Sequence, residues 1–133
     1  MGKPSTVNYT AGMMQRTSDI LWQDAQHQAL FEILDLLASP DSDDEVLQRL
    51  YEYTEIHFRL EEHYMAVLDY PDLAAHTQSH DRFREEIASL LEGGISDPGF
   101  RAAVATFLRE WLQRHVFGVD KELEGFILAA DAK

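Results

Sequence analysis

The 133-residue chain is predicted to be all-α, an up-down-up-down antiparallel four-helix bundle preceded by a non-helical N-terminal arm. Three observations carry that prediction. Strict polar–apolar alternation, the mark of a half-buried strand, is nearly absent, whereas apolar residues recur at three- and four-residue spacing in four segments. Each segment is bounded by residues that start or stop helices. The connections between segments are short, which makes consecutive helices antiparallel neighbours.

The arm spans residues 1–19, with Gly2, Pro4 and Gly12 among scattered polar residues, and the bundle spans 20–133. The first helix is expected from Ile20 to Ala38, capped by Thr17 or Ser18 and stopped by "SPDSDD". The second is expected from Asp43 to Asp69, capped by Asp41 or Ser42, with acids in the first turn where the helix dipole favours them. "DYPD" ends it, because Pro71 pushes the residue before it out of the helical region. A third helix covers Asp72 to Leu91 and stops at Gly93-Gly94. The fourth starts at Asp97-Pro98, with proline at a first-turn position, and runs toward Ala130.

This length suits a single domain with one real core. The formal net charge is −13, from 11 basic and 24 acidic residues. A field of that sign repels phosphate backbones and anionic lipid, so neither nucleic acid nor a membrane surface is an expected partner. With no cysteine, disulfides and thiolate metal sites are excluded. No apolar run is long enough to span a bilayer and no signal-peptide core is visible, so the expected location is the cytoplasm.

The apolar stripes hold the anomaly. The first helix lines up Ile20, His27, Leu30, Phe31, Leu34 and Leu37. The second lines up Leu47, Leu50, Thr54, His57, Phe58, Glu61, Tyr64, Met65 and Leu68. The third gives Leu73, His76, His80, Phe83, Ile87 and Leu90, and the fourth Val104, Phe107, Leu108, Trp111, Leu112 and His115. Five of the six histidines and one glutamate thus stand where the pattern calls for core residues. One such histidine is usually a hydrogen-bonded core residue and nothing more. Five on facing stripes are different, because each uncompensated buried polar group costs about 1–3 kcal/mol. Cations at the centre of the bundle would reverse that cost.

Spacing agrees with this. His57 and Glu61 are four apart, as are His76 and His80, so each pair shares a helix face. At about 100° per residue, Glu62 and His63 turn away from them and read as surface or supporting residues. His115 and Asp120 are five apart and would diverge by about 140° on a regular helix. Either a π-bulge or a break at Gly118 would bring them into line. Imidazoles and carboxylates without sulfur suit Fe, Zn or Mn. Seven ligands are too many for one ion and suit two, with Glu61 and Asp120 each bridging. Two octahedral ions offer about twelve positions, of which these ligands fill about nine; a bridging oxygen takes two more and leaves one open for a small ligand.

The chain resembles the hemerythrins, in particular the bacterial ones. The resemblance is carried by "QHQALF" around His27, "HFRLEEHYM" with His57 and Glu61, "YPDLAAHTQSHDRF" with His76 and His80, and "WLQRHVFGVD" with His115 and Asp120, and covers about residues 20–128. It implies a non-haem diiron centre that binds O₂ reversibly. His76, His80 and His115 would ligate one iron and His27 and His57 the other, with Glu61, Asp120 and an oxo or hydroxo group between them. The family's O₂-pocket positions fall on Leu30, Phe58, Trp111 and Phe117. Phe117 stands where smaller aliphatics are frequent, Leu123 where many relatives have tyrosine, and Gln23 where an aliphatic is usual.

Two roles are then expected: a free-standing O₂ carrier or store, or an O₂- or redox-sensing module joined in a longer chain to a C-terminal signalling output. The alternative is a diiron oxidase or peroxidase. Ferritin-like oxidases use Glu-x-x-His pairs, and none is present here, so the expectation is a binding protein and not an enzyme.

Overall fold

The computed structural model describes residues 16–95 and 97–131. Among these, the helices are α1 (Leu21–Ala38), α2 (Asp44–Val67), α3 (Leu73–Gly93), α4 (Pro98–Arg114) and α5 (Asp120–Asp131), with a π-helical turn at His115–Val119 joining α4 to α5. The backbone stays helical on both sides of that turn, so α4, the turn and α5 form the fourth rod of the bundle. Residues 1–15 of the predicted arm lie outside the described residues; residues 16–20 enter α1 without helical structure.

The helix ends follow local chemistry, with small corrections. The cap of α2 is Asp43, whose carboxylate accepts from the Glu45 amide at 3.0 Å, instead of Asp41 or Ser42. Ser42 closes the preceding helix, its hydroxyl donating to the Leu37 carbonyl. At the start of α1 the cap position is Ile20, without a side-chain cap bond of its own. The two residues expected to cap it are used otherwise: Ser18 Oγ accepts from the Ile20 amide, and Thr17 reaches Asp24. Asp97 caps α4 through the Phe100 amide, with Pro98 behind it as expected.

The end of α2 is a Schellman motif. Tyr70 N–H donates to the Met65 carbonyl and Asp69 N–H to that of Ala66, with Asp69 in the left-handed region at φ 56°. Tyr70 and Met65 then meet in the core, the apolar contact that goes with this motif. The turn therefore stops α2 before Pro71 is reached.

Helix α1 packs against α2 and α4, and α2 against α3. Two apolar clusters result. The larger gathers Leu30, Phe31, Leu34 and Leu37 of α1 with Leu47, Leu50 and Phe58 of α2, Phe83 and Ile87 of α3, and Val104, Leu108 and Leu112 of α4. A smaller one joins Ile20, Met65, Tyr70, Leu123 and Ile127. Each fully buried large side chain contributes about 1.5–3 kcal/mol relative to exposure. Arg101, itself buried, ties the loops at the larger cluster's end by donating to the carbonyls of Ile95 and Pro40. One stripe assignment fails: Phe107 is 48% exposed, because Val104, Leu108 and Leu112 form the inward row and Phe107 stands about 100° from Leu108.

Candidate metal centre

A layer of polar side chains sits on the inward faces of the helices. His27 comes from α1, His57 and Glu61 from α2, His76 and His80 from α3, and His115 and Asp120 from the two ends of the π turn; all seven are buried. The turn solves the spacing problem at the fourth rod. Asp120 N–H donates to the His115 carbonyl, a five-residue step, and the His115 Nε2 and Asp120 Oδ1 atoms lie 3.2 Å apart. Of the two routes left open by the sequence, the π-bulge is the one taken. Gly118 lies within it without a break, and a Cβ there would meet nothing within 4 Å.

The carboxylate oxygens divide the histidines into two sets. Glu61 Oε1 lies 3.1 Å from His80 Nε2 and 3.5 Å from His76 Nε2, and Asp120 Oδ1 lies 3.0 Å from His76 Nε2. The other oxygens face the remaining pair: Glu61 Oε2 is 3.3 Å from His57 Nε2 and Asp120 Oδ2 is 2.9 Å from His27 Nε2. Two groups that could each hold a cation result, one of Glu61, Asp120, His76, His80 and His115, the other of Glu61, Asp120, His27 and His57, with ligand atoms in each group within 4.8 Å of one another.

These contacts are close without being hydrogen bonds throughout. His57 Nε2, His76 Nε2, His115 Nε2 and Asp120 Oδ1 have no hydrogen-bond partner although they are fully buried. Buried polar atoms without partners are rare and call for an explanation. Buried imidazole nitrogens and carboxylate oxygens gathered this closely are what a donor set for cations requires.

The outer nitrogens are pinned from behind. His80 Nδ1 is 2.8 Å from Glu62 Oε2, His57 Nδ1 is 2.7 Å from Gln26 Oε1, His115 Nδ1 is 2.9 Å from Ser79 Oγ, and His27 Nδ1 is 2.9 Å from Thr17 Oγ1. A carboxylate and an amide oxygen can only accept, so His80 and His57 carry their protons on Nδ1 and turn lone pairs inward from Nε2. Thr17 extends the same arrangement by donating to Asp24 Oδ1 at 2.8 Å. Glu62 is held in turn by Arg84, whose two terminal nitrogens reach its two oxygens at 2.9 and 3.1 Å. Glu62 is thus a half-buried support for His80, whereas His63 is exposed.

Without cations the layer balances its own charge. Burial works against the charged forms of His27 and His76, but Asp120 and Glu61 outweigh it and raise both to about 9. Burial likewise opposes ionisation of Glu61 and Asp120, yet the surrounding imidazoles hold both carboxyls well below the usual range. For His115, burial prevails and lowers its pKa.

Aromatic residues close the layer on one side. Phe58 stacks on His80 with ring centroids 3.8 Å apart, and Trp111 stacks on His115 at 4.9 Å and on Phe83 at 4.6 Å. Of the four positions expected around a small ligand, Leu30 and Phe58 are fully buried and Trp111 is half-buried. Phe117 is 36% exposed, since it lies in the π turn between the two inward residues and points outward. Leu123 is fully buried in the smaller apolar cluster.

Three supporting residues have no role in the sequence reading, and Gln23, noted there only as a departure from the family, was within reach of one. Gln23 is four residues before His27 and three after Ile20, so it belongs to the inward stripe of α1. It is 0% exposed, and its Nε2 donates to Glu61 Oε2 at 2.8 Å. Ser79 and Gln26 gave no comparable signal, because both lie beside the stripes instead of on them.

Fold and site together define a helical-bundle protein with a buried histidine–carboxylate centre for a pair of cations. A family model described as the hemerythrin HHE cation binding domain matches residues 19–127. The chain belongs to the hemerythrin family. It is 35% identical to a myohemerythrin of Riftia pachyptila over 77% of this chain and 80% of that one. A hemerythrin-like protein of Naegleria gruberi is 24% identical over 93% of this chain and 96% of its own. A bacteriohemerythrin of Clostridium acetobutylicum is 29% identical over 74% and 86%.

Proposed function

We propose that the centre holds two iron ions and that the protein binds O₂ reversibly there. Iron of this kind, when bound, supplies the reversible electron transfer that O₂ binding needs. The carrying observation is the division of donors: two shared carboxylates serve three histidines on one side and two on the other. The side with His27 and His57 is one ligand short of its partner, which supports an open position for a small ligand on that side. His76, His80 and His115 would hold the other ion, and Glu61 and Asp120 would span the pair.

The chain's own residues do three things in this reading. They support the outer nitrogens, at Glu62, Gln26, Ser79 and Thr17, which for His80 and His57 places the proton on Nδ1 and leaves Nε2 to face the centre. Leu30, Phe58 and Trp111 exclude water from the layer and line the ligand's space. Family membership favours binding over catalysis.

A sensing role has an observation of its own. The segment before α1 touches both the layer and the last helix: Thr17 meets His27 and Asp24, while Asp19 N–H donates to Glu124 Oε2 at 3.0 Å. A change at the centre has a direct route to the segment before α1 and, through it, to the last helix. A carrier or store needs no such route. In either role the working location is the cytoplasm, and a sensor would pass its signal to an output domain in a longer chain. No described helix is long and apolar enough to cross a membrane.

The test is spectroscopic. Protein loaded with Fe(II) under anaerobic conditions is exposed to O₂ and then purged. A visible charge-transfer band that appears with O₂ and fades on purging supports the reading. Irreversible bleaching, or no O₂-dependent band, overturns it.

A further inference from the structure

Gln23 is buried among the ligand residues, yet nothing in the proposed O₂ chemistry accounts for it. Its contacts set the direction of every hydrogen in a short relay. Ionised Glu61 can only accept, so the side of Gln23 at 2.8 Å from Glu61 Oε2 must be the amide nitrogen. The Gln23 carbonyl oxygen then faces Ser18 Oγ at 2.7 Å, and the hydroxyl must donate to it. Ser18 Oγ is left to accept, which it does from the Ile20 amide at 3.0 Å. Ser18 and Gln23 are buried throughout. The amide has one orientation consistent with all three partners, and it points a donor at one oxygen of Glu61.

That oxygen is Oε2, the one that faces His57 and His27. A carboxylate oxygen has two lone pairs, so Oε2 can serve a cation and Gln23 at once. The donor draws electron density from the oxygen. Oε1, on the three-histidine side, instead faces the imidazole nitrogens of His80 and His76. A positive hydrogen beside a ligand oxygen stabilises the more electron-rich state of the ion behind it.

We infer that Gln23 is a positioning residue that makes the Glu61 bridge lopsided and raises the reduction potential of the metal pair, with Ser18 holding its amide in the required orientation. This rests on the two-iron reading above. The bridge oxygen on the two-histidine side is the weaker donor, so that side keeps its electrons longer.

Gln23→Leu removes the donor at similar volume, and Ser18→Ala removes the group that orients it while leaving Gln23 in place. Wild-type, Q23L and S18A proteins are loaded anaerobically with Fe(II), their iron is counted, and their potentials are measured by spectroelectrochemical titration. The expected result is two irons per chain in all three, a potential shifted negative in Q23L, and a smaller shift of the same sign in S18A. If Q23L does not fold or load, the sign of the S18A shift decides. A positive shift, or potentials equal to wild type, overturns the assignment of Gln23 while leaving the diiron reading standing. Wild-type protein that takes up fewer than two irons overturns both, and the metal count alone reveals which has failed.

Discussion

Two regions of one bundle use the same helix faces in opposite ways. In the half formed by Leu30 to Leu37, Leu47, Leu50 and Leu108, the inward stripe is filled by carbon and needs only to exclude water. About one turn before Leu30 on α1 and two to three turns after Leu50 on α2, the same stripe carries His27, His57 and Glu61, and every inward atom wants a partner. The apolar half is held together from within. The polar layer is held from outside, by Thr17, Gln26, Ser79, Glu62 and Gln23, each standing behind a ligand side chain. A core of the first kind specifies stability, whereas a core of the second kind specifies chemistry at some cost in stability.

The largest expected effect breaks the polar layer at its shared ligand. Glu61→Ala should abolish two-metal loading, because both donor groups lose a member, and metal analysis after anaerobic loading checks it. Its counterpart in the other region is Leu108→Ala. A fully buried leucine there should cost about 2–5 kcal/mol in chemical denaturation and leave the metal count unchanged. If the leucine variant lost metal as readily as the glutamate one, the two regions would not be separable.

Glu62→Ala comes next and sharpens the sequence-based picture. Helical phase alone places Glu62 outside the ligand set, and predicts no effect on metal. The contact with His80 Nδ1 predicts instead a loss of about 10–100-fold in metal affinity, with His63→Ala as the silent control in a chelator competition. Equal behaviour of the two variants would contradict the role given to Glu62.

Proton release is smaller but distinctive. In the metal-free protein His27 and His76 keep their protons up to about 9, against 6.5 for a free imidazole. Their contribution to stability is therefore complete below about pH 6.5 and lost as the pH rises through about 9. Metal must displace these protons, so loading near pH 7.5 should release about two per chain, one from each residue, as read by an indicator dye. The release should fade above pH 9. The smallest effect is expected at Gly118, where alanine meets nothing within 4 Å; G118A should change stability by no more than about 1 kcal/mol and leave metal binding intact.

Much of this was legible in the sequence because the ligands obey helical phase. His57 with Glu61 and His76 with His80 are read directly from four-residue steps, and the failure of that rule at His115 and Asp120 called for a π-bulge or a break at Gly118, of which the first is found. Phe117 came from the resemblance and not from helical phase, and it lies in that turn at 36% exposure. Phe107 satisfies the three- and four-residue steps from Val104 and to Trp111, yet the inward row is Val104, Leu108 and Leu112, so spacing alone does not mark the stripe's edge. Gln23 stands out in the sequence only as a departure from the family, and its role stays hidden because its partner, Glu61, lies on another helix. Contacts between helices, such as Glu62 with His80, carry no mark in the periodicity of either one.

An anaerobic Fe(II) titration of the metal-free protein reads directly whether this polar layer takes two cations. A break is expected at two irons per chain, lost in Glu61→Ala. A break at one iron, or uptake without saturation, would contradict it.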